Sequence, residues 1–321
     1  MNRRSFLENT GKFGLTLGLA PIMNPLDIFF DLPDETQIKK DLFFKISLAQ
    51  WSLHKAILSK VLDPLDFANK ARELGFDAVE YVSMLYAIDR SNTTSSISKL
   101  VKELKNRSAD NGVSNVLIMV DNEGGLASTN KALREDAIDN HSRWVDAAAG
   151  LGCHSIRVNL SGRAENFEIW KENSVDGLGR LAEYADKSKI NVIVENHGGL
   201  SSDGDKLTQV MKAINLKNCG TLPDFGNFCL KREYNKCVEE YDKYRGVAEL
   251  MPFAKGVSAK TFDFDATGNE TTIDYVKMLQ IVKDAGYRGR IGIEYEGDSL
   301  SEEDGIKATK ALLINAAAKL K

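Results

Sequence analysis

Soft metal ligands are scarce in this chain, which has four cysteines and four histidines in 321 residues. Cys153, Cys219, Cys229 and Cys237 show no CxxC or zinc-ribbon spacing, which argues against a metal–thiolate site. Cys229 and Cys237 could pair in an oxidising compartment, but free cysteines are common core residues and the composition favours that reading. A formal charge of −4 gives no reason to expect a polyanion partner, so nucleic acid is not expected. Neither an arginine cluster nor a glycine-rich phosphate loop is evident, which leaves nothing to grip a phosphorylated ligand. No GxGxxG follows the first strand-like run, where "LAQWSLHKAI" stands instead, and a dinucleotide-binding open sheet lacks its signature.

What is present is a globular composition, 27% charged and 43% apolar, long enough for one large core or two small ones. The N-terminus, "MNRRSFLENTGKFGLTLGLAPIM", sets Arg3 and Arg4 before Phe6, Leu7 and a glycine-rich apolar run. That order predicts a twin-arginine export signal, with an amphipathic first helix as the alternative. The expected organisation is export signal and linker over residues 1–40 and one folded domain over 41–321, in a periplasmic protein. The apolar run is too short and too glycine-rich for a confident span, and no small-x-small cleavage site stands out. An uncleaved signal would serve as a membrane tether. Twin-arginine export carries folded proteins, so the passenger would fold, and acquire any metal, inside the cell.

Past residue 40 one unit repeats. Strand-like runs occupy 43–50, 77–82, 114–121, 155–161, 191–196, 219–225, 254–262 and 290–297, and segments with helical spacing lie between them, as at 64–75, 96–112, 141–152, 178–188 and 271–286. Gly75, Gly112, Gly152 and Gly286 are placed as helix C-caps. Strict alternation means right-handed crossovers onto parallel neighbours, and eight units in about 280 residues predict an α/β fold, a single (β/α)8 TIM barrel.

A barrel makes the strand ends meet at one mouth, where active sites lie. Glu80, Asp121, Asn159, Glu195 with His197, Asp224, Lys260, and Glu294 with Glu296 stand at successive strand ends. Carboxylates crowded there repel each other unless a cation sits among them. The oxygen-rich set suits Mn²⁺ or Mg²⁺, or else Zn²⁺, with Glu195, Asp224 and Glu294 as ligands. His197 is a further candidate ligand, two residues beyond Glu195 and so on the same strand face. Glu80 and Asn159 are expected substrate contacts. Trp51 and His54, after the first strand, would give a ring-shaped ligand a stacking wall and a hydrogen-bond donor, with core packing the other reading of Trp51. Arg157 is either a substrate contact or a buried partner of Glu195. His141 and His154 are expected to be structural, and "TFDFDATGNETTID" (261–274) is a candidate lid bending at Gly268, or else a solvated loop.

The runs "VENHGG", "LPDFGNF", "VSAKTFDFD" and "IGIEYEG" resemble strand ends of the sugar phosphate isomerase/epimerase family with a xylose isomerase-like TIM barrel. The likeness spans roughly residues 43–320. It implies a divalent metal held by Glu, Asp, His and Glu from strands five to eight, and Glu195, Asp224 and Glu294 match the first, second and fourth. The third position departs, because Ser258 stands where the family commonly has histidine. Three ligands could then remain, His197 could be recruited, or the site could be weakened.

By the same resemblance the substrate is a small carbohydrate with a hydroxyl beside a carbonyl, and proton loss gives an enediolate. Glu195 and Glu294 would be the catalytic pair, one removing the proton and the other supplying it. Lys260 would bind or polarise an oxygen, and His197 and Asn227 would hold hydroxyls. With a leaving group β to the carbonyl, as in a 3-keto-glycoside, the same intermediate would eliminate, giving a lyase. A third reading is a sugar-binding barrel without catalysis. Apurinic-site endonucleases share the architecture but need many histidines and a basic groove, which this chain lacks. The oligomeric state is left open.

Overall fold

The computed structural model describes residues 42–234 and 236–320, so the expected signal and linker lie outside the described residues. Ten strands occur there: β1 (Lys45–Ala49), β2 (Ala78–Val82), β3 (Ser114–Val120), β4 (Ser155–Asn159), β5 (Asn191–Glu195), β6 (Cys219–Leu222), β7 (Cys229–Glu233), β8 (Lys236–Glu240), β9 (Val257–Thr261) and β10 (Arg290–Tyr295). All but β7 and β8 form one parallel sheet in the order β6-β5-β4-β3-β2-β1-β10-β9. Bridges from Thr221 to Ala254 and from Asp224 to Ser258 join its two edges, and the result is a nearly closed eight-stranded barrel.

The helices are α1 (His54–Leu58), α2 (Phe67–Glu73), α3 (Thr93–Asp110), α4 (Lys131–Leu151), α5 (Phe167–Asp186), α6 (Gly204–Ile214), α7 (Lys243–Leu250), α8 (Tyr275–Asp284) and α9 (Glu302–Ala318). The longer ones hide an apolar stripe. In α6, Leu207, Val210 and Met211 are buried at i, i+3 and i+4, the Asp203 side chain accepts from the Lys206 amide as N-cap, and Asn215 ends the helix in the left-handed region. Burying one such side chain contributes about 2 kcal/mol. The β-branched run Val192, Ile193 and Val194 in β5 is fully buried, as a strand covered on both faces must be. Gly75, Gly112, Gly152 and Gly286 all take positive φ, between 61° and 83°, as their cap positions require.

Two features differ from expectation. The hairpin of β7 and β8 has no counterpart among the predicted strands, because its charged and exposed sequence carries no apolar alternation to read. Backbone pairing holds it, along with a disulfide between Cys229 and Cys237, which are therefore not free core cysteines. Cys153 and Cys219 are the buried free thiols. No helix among the described residues is long and apolar enough to cross a membrane.

Candidate active site

Register in a parallel sheet sets side chains shoulder to shoulder, and it assembles this site. Glu294 on β10 pairs with Lys260 on β9, and Asn159 on β4 pairs with Glu195 on β5. β6 stops at Leu222 because Pro223 has no N–H for the ladder. The chain then turns Asp224 inward: its Oδ1 accepts from the amides of Gly226 and Asn227, both at 2.8 Å. Asn196, fully buried, ties the two loops by donating to the carbonyls of Asp224 and Asn227 and accepting from the Asp224 amide. Sequence reasoning missed Asn196. Its signal was a second polar residue directly after Glu195.

Glu195, Asp224 and Glu294 converge, each offering a carboxylate oxygen within 4.8 Å of the others, all three buried. Asn227 donates to Glu195 Oε1 at 2.9 Å. Glu195 Oε2 lies 2.9 Å from Arg157 Nε without hydrogen-bond alignment, so the contact is an ion pair and both atoms lack a hydrogen-bond partner. Arg157 also donates to Asp121 at 2.7 Å, and Asn159 donates to the same oxygen at 2.8 Å. Arg157 is thus the buried partner of Glu195 while lining the mouth as well.

Lys260 supplies the other cation. Only 1% exposed, it donates to Glu294 at 2.6 Å and Glu296 at 2.9 Å and lies 3.9 Å from Asp224. Burial alone would favour a neutral amine, yet Glu294, Asp224 and Glu296 hold Lys260 well above the usual lysine range. Burial, with Glu195 and Glu294 nearby, pushes Asp224 up to about 8 against the pull of Lys260. Glu294 is raised by the same burial, whereas in Glu296 the Lys260 ammonium overcomes burial and lowers it. Among the described residues, Asp121, Glu195, Asp224, Glu294 and Glu296 pair with Arg157 and Lys260 as permanent cations. Such an excess of buried negative charge calls for a further cation or for protons.

Ser258 occupies the third ligand position. Its hydroxyl lies 2.7 Å from Asp224 Oδ2 and 3.3 Å from Glu294 Oε2, within reach of two of the three acidic residues. The donor set is therefore three carboxylates and the Ser258 hydroxyl. This fits a hard divalent cation such as Mg²⁺ or Mn²⁺ and suits Zn²⁺ less well.

The barrel mouth opens into a cavity of about 720 Å³. Trp51, Asn159, Glu195, His197 and Glu294 belong to its wall. His197 lies outside the buried carboxylate group: β5 ends at Glu195 and Gly198 takes φ 95°, so strand alternation no longer applies and the imidazole is exposed. Glu80 is not at the mouth. It sits inside the barrel, 2% exposed, accepting from Ser47 at 2.6 Å. Lys260 and Asn227 act on the carboxylates rather than forming the cavity wall. His54 stacks flat on Trp51, with centroids 4.5 Å apart and its Nδ1 on the Trp51 carbonyl, and so backs the wall instead of lining it.

His141 on α4 is held by the Ala137 carbonyl as a structural residue would be, but it also reaches the cavity wall. His154 bonds Ser155 at the start of β4, away from the mouth. The 261–274 loop turns at Gly268, φ 80°, as expected. Asp265 accepts from Thr267 and Asn269 amides, Phe264 bridges Glu270 and packs on Tyr295, and the loop takes no part in the cavity wall.

The model of the family described as "Xylose isomerase-like TIM barrel" matches residues 68–316. A comparison with curated proteins finds no match. Among solved structures, a xylose isomerase-like TIM barrel protein from Mycobacterium smegmatis in complex with magnesium is 17% identical, with a TM-score of 0.58, covering 80% of this chain and 89% of its own. The 3-keto-D-glucoside 4-epimerase YcjR from E. coli is 15% identical, with a TM-score of 0.59 and coverage of 78% and 94%. The IOLI protein with a bound zinc atom is 13% identical, with a TM-score of 0.65 and coverage of 87% and 99%. At these identities the likeness establishes the fold.

Proposed function

The chain belongs to the xylose isomerase-like TIM barrel family, and from that premise we propose that it is a divalent-metal-dependent epimerase or isomerase of a carbohydrate, moving a proton beside a carbonyl. The observation that carries this reading is the buried convergence of Glu195, Asp224 and Glu294, with Glu195 and Glu294 opening onto the mouth cavity. A cation held by these three residues would stabilise negative charge developing on the carbonyl oxygen.

The protein's own groups do the rest. Asn227 fixes Glu195 through Oε1 and leaves Oε2, which lacks a donor, to receive the proton. Glu294, positioned by Lys260 and Ser258, returns a proton from its side of the site. Asn159 and His197 on the wall hold hydroxyls, and Trp51 offers an aromatic face to the ring. Where the substrate carries a β leaving group, the same proton removal leads to elimination. The self-bonded arrangement of Lys260 and Ser258 among the carboxylates favours one rival, a barrel that binds sugar without metal.

Export is part of the proposal. The Arg3-Arg4 signature and the disulfide both suit an oxidising compartment, and fractionation of cells carrying Arg3→Lys/Arg4→Lys protein tests it. The decisive experiment for the site is elemental analysis of untagged protein beside Glu195→Ala and Asp224→Ala, joined to solvent deuterium exchange into 3-keto-glucose. Near-stoichiometric Mn, Mg or Zn that vanishes in the variants, with exchange into the sugar, supports the enzyme. Metal-free protein that binds the sugar without exchange makes it a binding barrel.

A further inference from the structure

Beside the mouth cavity lies a second cleft of about 630 Å³, between the loops after β3, β4 and β5. The two adjoin: Asn122, Glu123, Gly124, Gly125, Ser161 and Gly198 belong to the walls of both. Either volume alone falls within the roughly 300–1,000 Å³ that holds a drug-sized ligand. A single sugar over Glu195 and Glu294 therefore leaves the second cleft unfilled.

We propose that the substrate is a glycoside two units long, with its keto-ring over the carboxylates and a ring-sized aglycone in this second cleft. The inference rests on the function proposed above and specifies its substrate class. Leu133 on α4 is 57% exposed and lines the second cleft, an apolar contact otherwise left in water. Leu200, partly exposed, adds apolar surface to the same wall, while Asn140 and Arg163 offer polar groups, the mixture a ring with hydroxyls or an aromatic ring requires.

The junction is built as well. Glu123, 4% exposed, receives both contacts of Arg90, at 2.9 and 3.0 Å, and the Trp144 indole at 3.0 Å. A carboxylate offers about four acceptor sites, so one remains for a substrate hydroxyl where the clefts meet. The backbone there is held in the left-handed region at Asn122, φ 63°, a conformation that for a non-glycine residue concentrates at ligand sites.

The test is calorimetric binding to the full chain of 3-keto-glucose and of 3-keto-glucosides carrying phenyl or glucosyl at C1, for wild type and for Leu133→Trp, which fills the cleft from an exposed helix position. Leu58→Trp, 60% exposed on α1, is the control. The expectation is at least tenfold tighter binding of a glycoside than of 3-keto-glucose, lost in Leu133→Trp and kept in Leu58→Trp. Preference for phenyl or for glucosyl identifies the aglycone. Equal affinity for the sugar and both glycosides, or indifference to Leu133→Trp, overturns the two-unit substrate. Deuterium exchange into 3-keto-glucose reports separately on the site, so that failure of the chemistry and failure of the second cleft are told apart.

Discussion

Replacing Glu80 by glutamine should flatten the pH dependence of stability between pH 5 and 8. Glu80 lies inside the barrel with Oε1 on the Ser47 hydroxyl and Oε2 without a donor, and burial pushes its carboxyl from the ordinary 4.5 to about 7. The folded state therefore keeps a proton that the unfolded chain has already lost. Below pH 4.5 both states are protonated and the group is neutral to folding. As pH rises from 4.5 through 7 stability falls, and above 7 the full penalty of about 3 kcal/mol persists, at 1.36 kcal/mol per pKa unit. Integrated between pH 5 and pH 8, the change is about 2.5 kcal/mol.

Glutamine keeps the shape and the acceptor for Ser47 but has no proton to lose. Urea unfolding of both proteins at pH 5, 6, 7 and 8 should give curves that converge or cross, with the variant gaining about 2.5 kcal/mol on wild type across that range. Other titrating groups cancel in the comparison. Parallel profiles would show that Glu80 enters the fold already ionised, and the account of its burial would be wrong. The neighbouring Gly292 gives a second handle, since a Cβ there would stand 2.5 Å from Glu80 Oε2 and Gly292→Ala should destabilise the barrel.

Other outcomes follow from the same contacts. Saturating Mn²⁺ at a hundredfold over its Kd should stabilise the wild type by about 2.7 kcal/mol, read as a rise in Tm, while Glu195→Ala and Asp224→Ala show no such rise. Asn227→Ala frees Glu195 Oε1 and should lower kcat about 10- to 100-fold, the worth of one charge-assisted hydrogen bond, with little change in KM; a loss confined to KM would place Asn227 on the substrate instead. Reducing the bond between Cys229 and Cys237 should expose Lys231, Arg232 and Lys236 of the hairpin to trypsin while the barrel resists, and equal cleavage with and without reductant would show that the disulfide does not hold it.

The barrel was legible because its signals are local. β-branched runs, helical spacing and terminal glycines each express a preference of a few residues, and eight repeats of them leave few topologies. Glu195, Asp224 and Glu294 were legible for a related reason: they stand at or just past the ends of buried strands, where a carboxylate needs a cause. The residues misjudged are those whose neighbours come from elsewhere in the chain. Glu80 lies in mid-strand and faces the barrel interior, a matter of strand phase and barrel closure. Lys260 looked like a substrate group until register set it against Glu294. His197 followed a strand rule past the end of its strand.

Sequence by itself thus determined the fold class, the strand ends that bear carboxylates and the serine at the third ligand position, because each is a property of residue type and short-range spacing. Tertiary structure alone decided which charges meet. The pairing of Arg157 with Glu195, the reach of Ser258 to both Asp224 and Glu294 and the adjoining clefts at the mouth depend on contacts between units many residues apart. Coulomb energy and desolvation act over a few ångströms of space, whatever the separation along the chain.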